Sequence, residues 1–561
     1  MSYFLGIDLG TTQTKATVGW FENEKLILRR LPLWQSLNPF GTIGPKDILP
    51  SVLWLKDNQV KIGEQCDKNA HNLVAGYPGS HLVRSIKREM GNNVWSVESG
   101  GFPYRPHHLA ALLLISVRRS FERVYPGKIP SRITITIPAS YSSSMRKATL
   151  AAAALAGFPI ESVQLIDEPL AAFFSSFLSV DVPELNKPIV VFDMGGGTLD
   201  ASVIKRVDIN EFELMATSRY NEIAGDDLTL EIGALILREA RLQKNISFGT
   251  LHLPGFGLGL WNLAEAMKTI LRECLERNMN YGTYDEQIEM HYRAGDFIST
   301  EQCLRLEGLP PINIYVCDIL KSVKPFFDLD DFRDTCSRSI RRPIYQSLSF
   351  AQVEAYDITR VYTTGGSSAF PPVLSTLNQV FRSGIIKLDP YHAVADGALY
   401  WTAMSSIGKL NVTEKIFENL YLRLEGQGFI EILRAPISIP EQNETVNICG
   451  SIEFQPDKQP VIEVRGRGLT VEFFRGESVD DPLMTAAHYE FIRLERAADG
   501  EVKLEKVTSQ VNADKIFKCE LILRDKKGIL QAQVELHESN SSQDADTSRL
   551  PTNIVLNGER L

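Results

Sequence analysis

An internal repeat constrains this chain's fold more than any other feature. Phe4–Val18 contains Gly6-Ile7-Asp8-Leu9-Gly10-Thr11-Thr12, and Val190–Ile204 contains Phe192-Asp193-Met194-Gly195-Gly196-Gly197-Thr198-Leu199-Asp200. Each reads as an apolar strand, an Asp, a Gly-rich turn with Thr, and a second strand. One such element is a plain hairpin turn. Two copies about 185 residues apart, followed by Thr363-Thr364-Gly365-Gly366-Ser367, are hard to explain as turns alone. They imply two similar halves that face one ligand.

The residue types point to an anionic ligand. A turn of Gly and Thr lets backbone N–H groups approach an anion, and a Thr hydroxyl adds a donor. An Asp at the preceding strand end repels phosphate but can hold a Mg²⁺ and its waters, which bridge to the phosphates. With one Asp and one loop from each half, two loops can clamp a triphosphate from opposite sides.

Composition narrows the class. The 561 residues suggest two to four domains, and the net charge of -10 argues against a broad nucleic-acid surface. Seven scattered cysteines (Cys66, Cys274, Cys303, Cys317, Cys336, Cys449, Cys519) lack any CxxC pair and read as reduced thiols. No basic, apolar leader opens the chain, and no run reaches the ~18 apolar residues needed to span a bilayer. A cytoplasmic protein without membrane or nucleic-acid partners is expected.

Along the chain, residues 1–405 mix β and α. Phe4–Ile7, Arg132–Ile137, Ile189–Phe192 and Val361–Thr363 read as buried strands. His108–Val124, Met145–Ala156, Leu228–Leu242 and Trp261–Arg277 read as helices. Residues 406–414 read as a polar linker. Residues 415–538 carry short alternating segments, such as Leu420–Leu424, Phe429–Leu433 and Lys518–Leu523, and read as a β-sandwich. Residues 539–561 read as a polar, disordered tail, in which Ile554-Val555-Leu556 is a frayed end or a short docking motif.

Gly6–Thr12, Phe192–Asp200 and Val361–Ser367 resemble the two phosphate motifs and the adenosine motif of the actin/sugar-kinase/heat-shock superfamily. Further segments are similar to the heat-shock protein 70 chaperone family: Leu165-Ile166-Asp167-Glu168-Pro169-Leu170-Ala171-Ala172, Ile137-Pro138-Ala139-Ser140-Tyr141 with Arg146, and Leu82–Arg88. The resemblance spans about 400 residues. It implies a two-lobed actin-like ATPase with ribonuclease-H-like halves, followed by the β-sandwich domain. It also implies ATP/ADP and Mg²⁺ as cofactors, and slow hydrolysis by water.

Carried over by position, Lys87 contacts the γ-phosphate and attacking water. Glu168, Asp193, Asp200 and Asp8 form the catalytic carboxylate set, of which Asp8, Asp193 and Glu168 hold the metal, through water. Gly10, Thr11, Thr12, Gly195, Gly196, Gly197, Thr198, Gly225, Arg272, Gly365, Gly366 and Ser367 contact the nucleotide. Pro138 and Arg146 resemble a switch pair. Their plain alternative is a strand-ending Pro and an exposed helix Arg.

The departures from the family pattern are specific. On the adenosine-side helix, Leu263–Cys274 offers Lys268, Leu271, Arg272 and Leu275, of which Arg272 matches. Ala369 replaces a usual Arg, and Tyr391-His392 replaces an Asp-Glu pair, so base recognition is expected to be altered. Gln164 replaces an Arg that J-domain co-chaperones need, which puts that pairing in doubt. The linker Ile407–Thr413 is polar where the family is Leu-rich, so weak docking is expected. A helical lid has no room after Glu538, so a divergent, bacterial-type member without a lid is expected. The functional expectation is ATP-driven binding of a peptide or a dedicated client. The alternatives are a nucleotide-sensing regulator with little turnover, a sugar-kinase-type enzyme, or an actin-like filament protein.

Overall fold

The computed structural model describes most of the chain from Ser2 to Leu561. Outside the description lie 69–72, 180–182, 219–222, 245–255, 278–282, 329–337, 439–445, 448–451, 477–484, 494–499, 512–516, 536–548 and some shorter stretches.

The first lobe opens with β1 (Tyr3–Leu9), β2 (Gln13–Glu22) and β3 (Lys25–Arg30), three consecutive antiparallel strands. A small sheet follows from β4 (Leu53–Lys56), β5 (Gln59–Ile62) and β6 (His81–Val83). Then come α1 (Pro106–Val124), β7 (Pro130–Ile137), α2 (Ser143–Leu155), β8 (Val163–Asp167) and α3 (Glu168–Ser175). The main sheet runs β8-β7-β1-β2-β3, with β1 parallel to β7. Its strand β1 alternates faces as period 2 requires. Leu5, Ile7 and Leu9 pack with α1, while Phe4 and Gly6 turn to the opposite face.

The second lobe repeats this plan. Strands β9 (Pro188–Met194), β10 (Leu199–Arg206) and β11 (Glu211–Thr217) again meander antiparallel. After α4 (Gly225–Lys244) and α5 (Phe256–Glu276) come β12 (Arg360–Thr364), α6 (Pro371–Val380), β13 (Gly384–Lys387) and α7 (Ala393–Ser406). The sheet runs β13-β12-β9-β10-β11, and β9 is parallel to β12 as β1 is to β7. The duplication expected from the two Asp-Gly-Thr segments is therefore present in connectivity.

Helices α3 and α7 occupy equivalent places in the two lobes, and each reaches across to the other. Leu170, Ala171, Phe173 and Phe174 of α3 bury against Ile189, Val191 and Phe212 of the second lobe. Leu399 and Ala403 of α7 pack on Phe4 of the first, and Thr17 donates to Asp396 at 2.6 Å. The two helices cross at Gly397, where an added Cβ would lie 1.7 Å from the Ala171 carbonyl oxygen. Gly6 is also close, with an added Cβ 2.6 Å from the Ala395 carbonyl oxygen.

Residues 406–414 do not run as a free connector. α7 continues to Ser406, and β14 (Asn411–Thr413) pairs in parallel with the outer edge of β11. Leu410 is buried beside Phe212 and Leu214, and Lys415 pairs with Glu213. Strand pairing uses main-chain groups, which a polar sequence supplies as well as an apolar one.

Beyond the linker the described structure is all β. One antiparallel sheet is built on β15 (Asn419–Leu424), β16 (Gly428–Leu433), β17 (Gly468–Gly476) and β18 (Thr485–Arg493). Another is built on β19 (Gly500–Val511), β20 (Phe517–Asp525) and β21 (Gly528–Glu535). Leu420, Leu422 and Phe473 of the first share a buried cluster with Leu504, Leu521 and Leu523 of the second.

The disordered reading of 539–561 needs correction at its end. The stretch 536–548 lies outside the described residues. From Arg549 onward the chain is ordered: β22 (Val555–Leu556) and β23 (Glu559–Arg560) form a hairpin that joins the sheet of β4, β5 and β6. Ile554 is 0% exposed and Leu556 3%. Burial of these two side chains outweighs the polar composition upstream of them.

Crossing helices this close tolerate no side chain at their contact. Gly397→Ala is expected to cost about 3 kcal/mol through overpacking, read as a lowered urea midpoint with an unchanged slope.

Candidate functional site

The carboxy ends of β1 and β9 point into one cavity of about 750 Å³ between the lobes. Asp8 and Asp193 both line it, together with Lys87 and Glu168. The two glycine-rich loops come into contact. A Cβ on Gly196 would meet Thr12 Oγ1 at 2.1 Å, and one on Gly197 would meet Thr11 Cγ2 at 2.3 Å. Gly365, with φ of 82°, brings the third loop alongside Asp193, and a Cβ on Gly225 would collide with Ser367 Oγ at 2.0 Å.

Of the residues singled out from sequence, Asp8, Gly10, Thr11, Thr12, Lys87, Glu168, Asp193, Gly195, Gly196, Thr198, Arg272, Gly365, Gly366 and Ser367 line the cavity. Gly197 and Gly225 support it through contacts with the loops rather than lining it. Asp200 sits beneath, paired in register with Asp193, and accepts from the Ser140 amide at 3.3 Å.

Charge is concentrated at the cavity floor. Lys87 pairs with Glu168, and Lys15 with Asp8 at 3.0 Å, all four side chains being buried. Burial, then the Glu168 and Asp200 charges, push Asp193 well above the usual carboxylate range. Burial raises Glu168 despite Lys87. Burial and the Glu168 charge push Asp200 up to about 7. Ionised together, the four carboxylates would outnumber the two lysines, a surplus that a cation would relieve. Among the described residues no three His, Cys, Asp or Glu side chains converge closely enough to ligate a metal directly. The carboxylate oxygens of Asp8, Glu168 and Asp193 are hard donors of the kind that a divalent cation or its bound waters take.

The basic run at 84–88, which taken alone reads as a solvated surface, instead closes the cleft. Arg84 reaches Asn262 at 3.4 Å, Ser85 donates to Asp226 at 2.9 Å, and Arg88 donates to the Gly197 carbonyl at 2.7 Å and to Asp227 at 2.9 Å. Ser85 adopts φ of 53°, the turn that aims its neighbours across.

Pro138 follows directly on β7, as its plain reading holds. Arg146 departs from the plain reading: it is 4% exposed and donates to Asp167 at 2.7 Å, next to Glu168. Tyr141, in the same turn, donates to the Lys87 carbonyl at 2.8 Å. The Pro138–Arg146 segment therefore touches Lys87, which lines the cavity, and Asp167 and Asp200, which lie behind the lining.

Of the four helix positions offered on the second-lobe wall, Lys268 and Arg272 line the cavity and Leu271 and Leu275 do not. Leu271 and Leu275 are buried in the core of that lobe. The cavity face of α5 is Glu265, Lys268, Thr269 and Arg272, spaced three and four apart, with Trp261 one turn before. Lys268 donates to the Gly225 carbonyl at 3.1 Å, and Arg272 to Glu276 at 2.7 Å. The helical period already separates these polar residues from the Leu263, Met267 and Leu271 stripe.

The mixed α/β lobes and their shared cavity are consistent with an actin-like ATPase. The Hsp70 protein family model matches residues 56–286, from the last residue of β4 to ten residues past the end of α5. That match supports an Hsp70-family member of this class, with a nucleotide-binding, chaperone-type function in general. No helix among the described residues is long and apolar enough to cross a membrane.

Asp200 provides a test of the buried charge. It keeps its proton up to about pH 7 when folded, but ionises near 3.8 when unfolded. The folded state therefore holds an extra proton across that window, and stability falls as pH rises through it. The nucleotide-free protein is expected to melt at progressively lower temperature from about pH 4 to 7. Asp200→Asn should flatten that decline in scanning calorimetry.

Proposed function

We infer that the chain binds ATP in the interlobe cavity, hydrolyses it slowly with water, and couples its nucleotide state to peptide or client binding by region 415–538. The observation that carries this reading is the convergence of Asp8, Lys87, Glu168 and Asp193 with two Gly-Thr loops on one cavity. The domain plan is 1–405 for nucleotide, 406–414 as linker and 415–538 as a β-sandwich that takes an extended segment by strand addition.

In this reading Thr11, Thr12, Thr198 and the loop amides bind phosphate oxygens. Asp8, Asp193 and Glu168 hold the waters of a Mg²⁺, which neutralises phosphate charge when bound. Lys87 holds the terminal phosphate and the attacking water, and its pairing with Glu168 fixes it. Buried Asp200 stands near Asp193 as a proton acceptor. Polar contacts at this buried floor act more strongly than in water. Pro138 and Arg146 transmit the state of the floor through Tyr141 and Asp167. The base meets Trp261, Glu265, Lys268, Thr269 and Arg272, an altered set that leaves adenine as the first choice.

Lys87→Met and Glu168→Gln are each expected to lower phosphate release about a hundredfold, while nucleotide affinity changes little, because both act on the transition state. Equal loss of binding and turnover in calorimetry and phosphate assays would remove them from these roles. The same assay with added sugars decides against the chaperone reading if a sugar phosphate forms.

The seat of β14 on β11 supports a docked linker. We expect the Gly408–Thr413 segment to resist proteolysis more with ATP bound than with ADP. We also expect little stimulation of hydrolysis by generic apolar peptides. No nucleotide-dependent change in cleavage would favour a static nucleotide sensor.

A further inference from the structure

The hairpin β22–β23 returns nearly the whole length of the chain to the first lobe, and its seat has the features of a built peptide site. Val555 N–H donates to the Asn58 carbonyl at 2.9 Å and Asn557 N–H to the Val60 carbonyl at 2.8 Å. Ile62 N–H donates to Asn557 Oδ1, also at 2.8 Å. Ile554 and Leu556 enter the apolar cluster of Leu53, Leu55, Val60 and Ile62, with Leu550 and Leu561 packed against it. The turn between the strands is Asn557-Gly558, with φ of 49° and 89°, the pair that a two-residue hairpin turn favours. Two arginines on α1 clamp the far side. Arg123 pairs with Glu559, and Arg119 donates to the Arg560 carbonyl at 2.8 Å and to Glu559 at 3.4 Å.

Each part of this seat recognises a different property. The edge of β5 takes main chain, the pocket takes two apolar side chains two residues apart, and the arginines take an acidic residue just past a tight turn. Without the hairpin, β5 would be an open strand edge beside an apolar pocket. The position matters as well. The sheet runs β23-β22-β5-β4-β6, and β6 leads within a few residues to Ser85 and Lys87.

We propose that the β5 edge with Arg119 and Arg123 is a peptide-docking site on the first lobe, and that segment 549–561 is its intramolecular ligand. The segment straps the region after β21 to the lobe that carries Lys87. Because the segment belongs to the same chain, its docking is intramolecular, and a free peptide of the same sequence must compete with it.

The test uses the full chain and a fluorescent peptide of sequence Arg549–Leu561, read by anisotropy without nucleotide. In an Ile554→Asp, Leu556→Asp double variant the chain's own segment no longer fills the pocket. This variant is expected to bind the peptide at least about tenfold more tightly than the parent chain. A peptide carrying the same two substitutions should bind neither protein. Equal uptake by parent and variant, or equal binding of both peptides, overturns the proposal. If the double variant misfolds by circular dichroism, Glu559→Arg replaces it. This half-exposed position leaves the core untouched while setting like charge against Arg119 and Arg123, and the same increase in uptake is required. Because no nucleotide is present, failure here is separate from failure of the ATPase reading.

Discussion

The crossing of α3 and α7 is the contact on which the rest of the molecule depends. Each helix follows the last strand of one lobe and packs on the sheet of the other, so the lobes are joined through shared cores rather than through a hinge strand. The approach is close because Gly397 offers no Cβ to the Ala171 carbonyl. This crossing places Glu168, the first residue of α3, between the strand ends that carry Asp8 and Asp193. Packing and chemistry therefore meet at one point: a shift of α3 on α7 would move Glu168 and its partner Lys87 together.

Around that point the charges are arranged for a ligand rather than for stability. Burying several carboxylates costs free energy even when lysines lie nearby, and the raised Asp193, Glu168 and Asp200 record that cost. A protein selected only to fold would replace them with apolar groups. The same reasoning applies to the segment from Arg84 to Arg88, whose side chains reach across the cleft to Asn262, Asp226, Asp227 and Gly197. These bonds hold the lobes closed over the cavity.

Main-chain pairing at sheet edges is the second recurring device. The linker strand β14 adds to β11, and the hairpin β22–β23 adds to β5. Both attachments bring residues distant in sequence onto the two α/β lobes, and both rely on backbone groups that composition does not report. This explains why a polar linker and a segment following a polar stretch are ordered where low hydrophobicity suggested otherwise. The Asn557-Gly558 pair between Leu556 and Glu559 was the local signal that could have revealed the second of them.

The sequence by itself determined the duplicated α/β plan, the loops that meet at the cavity and most of its floor, because each rests on short-range patterns. Alternation in β1 and β9 assigns faces, Gly and Thr after Asp mark the turns, and helical spacing marks α1, α4 and α5. In strand β19 the register shift between Leu504 and Lys506 breaks the alternation, so Leu504 and Val507 are both buried at odd spacing and no period-2 pattern runs through it. Tertiary structure alone decided which helix face meets the cavity at Glu265 and Lys268, that Arg146 is buried on Asp167, and that the basic run pairs across the cleft. Those outcomes depend on contacts between residues far apart in sequence, whose energies come from burial and from charges brought together by the fold, which no local pattern encodes.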